Sequence, residues 1–265
     1  MPELLLPASP RAPGRSPVRI HLRERGAGPA VLLLHGGWGY EAYPFDAALD
    51  ALAPARRVLA PDRSGYGRSE PVEGLAPGFH VQMAQETLLV LDVLGVERAA
   101  LWGHSDGAVV AAWTAILAPE RVTAVVLEAL HFFAAKPGSL PFFRTGLERP
   151  EELGPEVVDT LRRDHGPRWR EVIGAGARAW LDIIDEGLAG RADVFDGRLG
   201  EVRAPALLLH GRRDPRTEPG ELEAAQRALP RARLELVDAG HSPHTSRIAG
   251  ATAVAAAAGF LLGNG

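Results

Sequence analysis

A serine between two glycines is the residue of this 265-residue chain best suited to carry out chemistry: residues 103–107 read Gly-His-Ser-Asp-Gly. A short apolar run precedes Ser105 and an alanine-rich run follows it, which predicts a strand, a sharp turn and a helix. So tight a bend strains the serine backbone, and side chains larger than those of Gly103 and Gly107 would collide across it. The pattern predicts a nucleophile elbow that presents the hydroxyl at the positive end of a helix.

A serine hydroxyl is a weak nucleophile at neutral pH and needs a base, which a carboxylate in turn orients. His241 and Asp214 are the candidates, and each lies just after a predicted strand, as Ser105 does. Taken singly, the aspartate is a turn residue and the histidine a solvated loop residue. Together, the chain order Ser105, Asp214, His241 matches a known order of nucleophile, acid and base. We therefore predict a catalytic triad.

Ester or acyl chemistry at such a serine also requires two backbone N–H groups directed at the developing oxyanion. The N–H of Asp106, the residue after the nucleophile, is one candidate. The other is the N–H of Gly37, in the loop His-Gly-Gly-Trp-Gly at 35–39, with Trp38 as the alternative donor. The two glycines of this loop also fit a tight turn, and the two interpretations are compatible.

Apolar runs and amphipathic stretches alternate along the chain from residue 30, which predicts a parallel sheet with helices on both faces. Ligands bind such sheets at the carboxyl ends of the strands. The predicted strands are residues 18–25, 30–34, 57–60, 99–102, 122–127, 206–209 and 234–237.

The alternation stops between residues 131 and 200, where only helical patterns occur. A helical insert between two strands, on the side of Ser105, predicts a lid. The remaining residues divide into an α/β core at 18–130 and 201–265 and a proline-rich segment at 1–17. We predict that residues 1–17 form a loose N-terminal arm.

Composition narrows the class of function. A net charge of −4 gives no basic surface for nucleic acid, and no apolar run is long enough for a membrane span. The absence of cysteine excludes thiolate catalysis, and the nine histidines show no spacing typical of a metal site. We expect a cytoplasmic protein that binds a small-molecule substrate without metal or cofactor and without nucleic-acid or membrane partners. Its oligomeric state is not predicted.

Five motifs occur in one order: the loop at 35–39, Asp-x-x-Gly-x-Gly-x-Ser at 62–69, the elbow, and the turns of Asp214 and His241. With them the chain resembles serine hydrolases of the α/β-hydrolase superfamily over residues 18–262, the insert excepted. The resemblance implies a mostly parallel sheet with helices on both faces and a small helical lid after the strand ending near Leu127. It also implies cofactor-free cleavage of small carboxylic esters through an acyl-enzyme.

Within that superfamily, the Ser-Asp-Gly sequence and the compact lid are similar to the valacyclovir-hydrolase (biphenyl-hydrolase-like) group. That similarity implies that Asp106 binds the ammonium group of an amino-acid ester. The alternative is that Asp106 only stabilises the first turn of its helix through the helix dipole.

Aromatic and histidine side chains near the site are candidates for the substrate pocket or for packing of the lid. The candidates for substrate binding are Trp38, His131, Phe132 and Phe142, beside Asp106. Glu128 is an alternative acid, a substrate contact or a contact at the hinge of the lid.

Two other functions remain open on the same residues. The triad also suits a carbon–carbon bond hydrolase or a perhydrolase, and a member of this fold that binds a small molecule without catalysis is the alternative of another class. Epoxide hydrolase and dehalogenase chemistry in this fold needs an aspartate at the elbow, which Ser105 replaces.

Overall fold

A computed structural model of the protein describes residues 3–265. Eight strands form one sheet in the order β1-β2-β4-β3-β5-β6-β7-β8, in which the pairs β1–β2 and β2–β4 are antiparallel and all other neighbouring pairs are parallel. The strands are β1 Glu3–Leu6, β2 Val18–Arg25, β3 Ala30–Leu34, β4 Arg57–Pro61, β5 Ala99–His104, β6 Val122–Glu128, β7 Ala206–Gly211 and β8 Arg233–Val237. The α/β fold class predicted from the sequence is confirmed.

The sheet is covered on both faces, as its continuous apolar strands require. In β3, Leu32 and Leu34 pack with helices α2 and α3, whereas Val31 and Leu33 pack with α1 and α8 on the other face. The helices are α1 Asp46–Leu52, α2 Phe79–Val93, α3 Asp106–Leu117, α4 Leu140–Glu148, α5 Pro155–His165, α6 Trp169–Leu188, α7 Glu221–Ala228 and α8 Gly250–Asn264.

Strands β5, β6, β7 and β8 are parallel neighbours, so their carboxyl ends lie along one edge of the sheet. The loops that follow β5, β7 and β8 carry Ser105, Asp214 and His241. The topology therefore brings together residues that lie more than a hundred positions apart in the sequence.

Helices α4, α5 and α6 lie between β6 and β7 and cover this edge. Trp38, in the loop after β3, stacks on Phe142 of α4 with ring centroids 5.3 Å apart. His165, at the end of α5, donates from Nε2 to the Trp38 carbonyl at 2.9 Å and accepts at Nδ1 from the Gly67 N–H at 3.1 Å. These contacts seat the helical segment on the core; its division from the core at 131–200 stays a prediction.

The N-terminal segment differs from the loose arm that we predicted for residues 1–17. Strand β1 pairs with β2, and Leu6 is fully buried against Val18, Ile20 and Val90. The reason is that β1 pairs with the free edge of β2, which buries Leu6 and partly buries Leu4, while Leu5 faces solvent. Residues 1 and 2 of the arm lie outside the described residues.

Among residues 3–265, no helix combines the length and apolar character needed to span a bilayer.

Candidate active site

The backbone at Ser105 has the strained conformation that the elbow pattern predicts, with φ 55° and ψ −121°. A Cβ on Gly103 would collide with the carbonyl of Gly107, and a Cβ on Gly107 would collide with the carbonyl of Leu34. Both glycines are therefore required for the close approach of β5, α3 and β3. The turn leaves the serine at the first residue before α3, beside the positive end of that helix.

Ser105, His241 and Asp214 form a continuous hydrogen-bonded series. The imidazole of His241 lies 2.9 Å from Ser105 Oγ through Nε2, and its Nδ1 lies 2.9 and 3.0 Å from the two oxygens of Asp214. A carboxylate accepts hydrogen bonds, so Nδ1 carries the proton and Nε2 is free to accept one from the serine. Burial alone would raise the pKa of Asp214, but the hydrogen bond and charge of His241, with the charge of His210 and the N–H of Arg216, together outweigh burial and lower that pKa to about 2. The carboxylate therefore stays ionised at neutral pH.

A second imidazole reaches the same hydroxyl. His131 Nε2 lies 3.2 Å from Ser105 Oγ, and its ring stacks on that of His241. Since the serine proton points to His241, Ser105 Oγ accepts from His131, which must carry its proton on Nε2. Burial, with the nearby positive charge of Lys136, lowers the pKa of His131 well below its ordinary value. His131 is thus a neutral donor to the serine oxygen.

The loop after β3 carries Gly37 and Trp38, the two alternative oxyanion donors predicted beside Asp106 of α3. The carbonyl of Gly36 accepts from the guanidinium of Arg63 at 2.9 Å, so the N–H of Gly37, on the other side of the same trans peptide, points away from Arg63. Gly37 and Asp106 both line the cavity above Ser105. Among residues 3–265, the N–H groups of Gly37, Trp38 and Asp106 have no protein acceptor. The geometry favours Gly37 with Asp106, and Trp38 stays the alternative.

The two carboxylate oxygens of Asp106 have different surroundings, one in the core and the other at the cavity. Its Oδ1 accepts from His80 Nε2 at 3.0 Å and from Trp180 Nε1 at 2.9 Å, which joins α3 to α2 and to α6. Burial would raise the pKa of Asp106, but the hydrogen bond from His80 lowers it below its usual range. Its Oδ2 lies against Gly37, where a Cβ would collide with it. In the described chain, no donor reaches Oδ2, so this oxygen is available to a ligand.

A cavity of about 310 Å³ lies over Ser105 and His241. Of the residues predicted to bind substrate, Trp38, Asp106, His131 and Phe142 line it. Its walls are largely apolar, as in most small-molecule sites. The other apolar side chains of the wall are Tyr43, Phe143, Ile173, Ala177 and Trp180.

Phe132, which we also predicted to bind substrate, lies outside this lining. The buried carboxylate of Glu221 accepts from the N–H groups of Phe132 and Phe133 at 2.8 and 3.0 Å and from Lys136 Nζ at 2.6 Å. This anchor turns the backbone toward α7, and the Phe132 ring packs on Phe195 in the core. The prediction was wrong because it took no account of the ion pair with Glu221.

Glu128 is neither the alternative acid nor a lid hinge contact. It is fully buried, and it accepts from Trp102 Nε1 at 2.8 Å and from His244 Nδ1 at 2.7 Å. Glu128 does not line the cavity, and its partners pack in the core on the side of α1 and α8.

The cavity residues that were not identified as functional from the sequence include Tyr43, Trp180 and Arg216. Trp180 belongs to the apolar stripe of α6, which indicated only packing. Tyr43 lies in a loop without periodicity. Arg216 follows Asp214 by two residues, and this proximity to the predicted acid was a signal that it lies at the same edge of the sheet.

Comparison with known proteins places the chain in a family. Residues 31–257 match the model of the alpha/beta hydrolase family. The pimeloyl-[acyl-carrier protein] methyl ester esterase of Nitrosomonas europaea is 30% identical over 86% of this chain and 94% of that protein. An epoxide hydrolase of Caballeronia sordidicola is 36% identical over 58% of this chain and 46% of that protein. The chain spans about half the length of several curated relatives that it matches.

Solved structures show the same fold. The enol-lactonase of Burkholderia xenovorans LB400 superimposes with a TM-score of 0.72 at 20% identity, over 92% of this chain and 97% of that one. The narrower similarity to the valacyclovir-hydrolase group stays a prediction. The family match, the near-complete coverage of an esterase and the shared fold together show that this chain belongs to the alpha/beta hydrolase family.

Proposed function

We propose that the protein hydrolyses small carboxylic esters through an acyl-enzyme on Ser105. The observation that carries this proposal is the hydrogen-bonded series of Ser105, His241 and Asp214, with both of its distances at 2.9 Å. His241 Nε2 takes the serine proton as Oγ bonds to the ester carbonyl carbon. The proton then passes from His241 to the leaving alkoxide, and the alcohol departs from the acyl-enzyme.

Hydrolysis of the acyl-enzyme repeats these steps with water. His241 removes a proton from water as its oxygen attacks the acyl carbon, and returns that proton to Ser105 Oγ when the carboxylic acid leaves. Asp214 keeps the proton of the neutral imidazole on Nδ1 and stabilises the imidazolium. The N–H groups of Gly37 and Asp106 bind the oxyanion, and losing one such donor typically lowers kcat about 10²–10³-fold.

We also propose that amino-acid esters are preferred substrates. The support is the Asp106 carboxylate, whose Oδ2 lies at the cavity while His80 and Trp180 occupy Oδ1. A substrate ammonium bound there would form a charge-assisted hydrogen bond, which is roughly twice as strong as a neutral one. The same carboxylate also lies in the first turn of α3, so its two roles are compatible.

The proposal is tested by labelling and by a substrate series. A fluorophosphonate probe should label the protein but not its Ser105→Ala variant, and p-nitrophenyl esters of increasing acyl length should report the reach of the cavity. Equal labelling of the two proteins would refute Ser105 as the nucleophile. Turnover of a carbon–carbon substrate with no ester hydrolysis would favour the alternative reaction on the same triad.

The preference for amino-acid esters is tested with pairs of esters that differ only in the ammonium group. We expect the wild type to prefer the charged ester and Asp106→Asn to lose that preference while still hydrolysing the neutral one. Equal kcat/KM for both esters in both proteins would rule out a substrate role for Asp106.

A further inference from the structure

Arg216 is a charged residue in the cavity wall that has no role in the proposed ester cleavage. It lies in the loop after β7, two residues beyond Asp214, and lines the same cavity as Ser105. Its guanidinium makes no hydrogen bond and no ion pair with any of residues 3–265. We propose that this guanidinium binds a carboxylate on the substrate, which makes the natural substrate an ester that also carries a carboxylate; this inference rests on the proposed function.

The neighbouring carboxylate does not neutralise Arg216. Both oxygens of Asp214 are engaged by His241 Nδ1, and Oδ1 also accepts the backbone N–H of Arg216 at 2.8 Å. His210 lies 3.3 Å from Oδ2. Asp214 is therefore fully used in orienting the imidazole, and the charge of the Arg216 side chain is left to the cavity.

The side chain of Arg216 is partly enclosed by its neighbours, so the absence of an ion pair with the described residues requires an explanation. Its guanidinium lies over the ring of Phe142, 3.1 Å from the centroid, so one face of the group is covered by α4. Burial lowers the pKa of Arg216 to about 10, and the group remains a cation at neutral pH. The nearby charge of Asp214 favours the Arg216 cation without forming an ion pair with it, and charged groups that are half-buried without a direct partner are concentrated at binding sites.

Guanidinium geometry indicates what would bind. Its planar array of N–H donors matches a carboxylate with two parallel hydrogen bonds, whereas a neutral ester or amide offers one acceptor. Packing on Phe142 leaves the edge of the group, where the donors lie, free for such a pair. Arg216 and Asp106 carry opposite charges, so each would select a different group of one substrate.

The test compares half-esters with their half-amides, which have the same shape without the charge. Monomethyl succinate, glutarate and adipate are measured beside the corresponding methyl esters of the half-amides, with O-acetylglycolate and O-acetylglycolamide for a carboxylate on the alcohol side. The proteins are the wild type, Arg216→Gln, Arg216→Lys and Arg213→Gln. Arg213 is the matched control because it lies in the same loop but pairs with Asp238 at the surface.

We expect the wild type to prefer one of the carboxylates over its amide, and Arg216→Gln to lower kcat/KM for it about tenfold to hundredfold, as loss of a charge-assisted hydrogen bond predicts. The amide should change less than about twofold, since its bonding to the guanidinium is weaker. Arg216→Lys should be intermediate and Arg213→Gln unchanged. A wild type without preference at any length, or equal losses on carboxylate and amide, would show that Arg216 only packs on Phe142 and would overturn the inference.

Binding to Ser105→Ala protein separates this inference from the proposed function. Calorimetry with the three half-esters should show binding that Arg216→Gln abolishes in the same background. Such binding without any ester hydrolysis by the wild type would retain the anion site and refute the esterase proposal. Hydrolysis of neutral esters with no Arg216-dependent binding would do the reverse.

Discussion

Two carboxylate–histidine pairs lie near the carboxyl ends of β6 and β7, and only one of them reaches a nucleophile. Asp214 pairs with His241 at 2.9 Å, and Glu128 pairs with His244 at 2.7 Å. The side chain of His241 is 17% exposed and its second ring nitrogen lies at Ser105 Oγ. The side chain of His244 is 1% exposed. In both pairs a carboxylate is bonded to one imidazole nitrogen, Nδ1. The pairs differ in which group lies next to the other nitrogen, Nε2.

For His244 that nitrogen meets the main chain. Its Nε2 lies 3.3 Å from the carbonyl of Tyr43, and its ring stacks on Phe45 with centroids 4.3 Å apart. Every polar atom of this imidazole is thus used inside the core. The comparison teaches that a buried acid–imidazole pair marks a functional site only when one ring nitrogen faces a reactive group and a cavity.

The largest difference between the two pairs should appear in catalysis. In Asp214→Asn the amide no longer holds the His241 proton on Nδ1, and we expect kcat for ester hydrolysis to fall about 10⁴-fold, as in other triads. Thermal unfolding should show a folded protein. An Asp214→Asn enzyme within tenfold of the wild type would mean that another group orients the imidazole.

Glu128→Gln should have the opposite effect. Its amide nitrogen would face a donor, either Trp102 Nε1 or His244 Nδ1, and breaking a buried pair typically costs about 3–5 kcal/mol in the free energy of unfolding. Activity per folded molecule should be retained. Chemical denaturation at neutral pH measures this, with Glu152→Gln, which breaks the exposed pair with Arg149, as a control of much smaller effect.

The pH dependence of this loss has a fixed sign. Burial alone would raise the pKa of Glu128, but the interactions with His244 act in the opposite direction. The resulting pKa is lowered to about 2. A depressed pKa stabilises the fold above the ordinary value of 4.5, and that stabilisation is lost as pH falls toward 2. The gap between wild type and Glu128→Gln should therefore shrink below pH 4.5. A gap that is constant down to pH 3 would show that the loss comes from packing alone.

The two pairs also show what the sequence could and could not predict. Residues at the ends of parallel strands share one edge, so the strand pattern was sufficient to group Ser105, Asp214 and His241. The same rule also places Glu128 at that edge. Glu128 does not belong to the site because its partner, His244, packs against Phe45 and Trp102 in the core.

The orientation of side chains that pack against α4 and α6 could not be predicted from the sequence. Phe132 and Phe142 have the same residue type and lie in the same insert, yet one faces the core and the other the cavity. The difference comes from Lys136 and Glu221, which are 85 residues apart and fully buried together. A periodic pattern within one element contains no information on such long-range pairs, nor on which loop side chains, such as Tyr43, will meet them.

His131 sharpens the comparison, because it is an imidazole with no carboxylate that still reaches Ser105. We expect His131→Phe, which removes the donor to Ser105 Oγ, to lower kcat about tenfold, the effect of one net hydrogen bond. His131→Gln keeps an N–H donor of similar reach and should recover part of this loss. The rate of fluorophosphonate labelling reports the nucleophile directly and should follow kcat. Equal losses in both variants, appearing in KM instead, would indicate that His131 only shapes the cavity.

The smallest effect concerns another buried carboxylate, Asp164 of α5, which forms no ion pair with a Lys or Arg side chain among residues 3–265. Its Oδ2 accepts the N–H of Glu41 at 3.1 Å, and burial, with the nearby charge of Asp62, raises the pKa of Asp164 from 3.8 to about 7. A raised carboxyl pKa means that the folded protein holds the proton more tightly, so this group destabilises the fold as pH rises from 3.8 to about 7.

Asp164→Asn keeps the acceptor for Glu41 and removes the charge, so the variant should match the wild type near pH 4 and exceed it at pH 8 by a few degrees in Tm. Asp159→Asn is the control, because Asp159 lies on the same helix and is exposed. A Tm difference that is the same at both pH values would place the effect in local packing. The expected divergence would instead show that a buried carboxylate hydrogen-bonded to a histidine and one beside another carboxylate respond to pH in opposite directions. This difference is the physical basis of the contrast between Glu128 and Asp164.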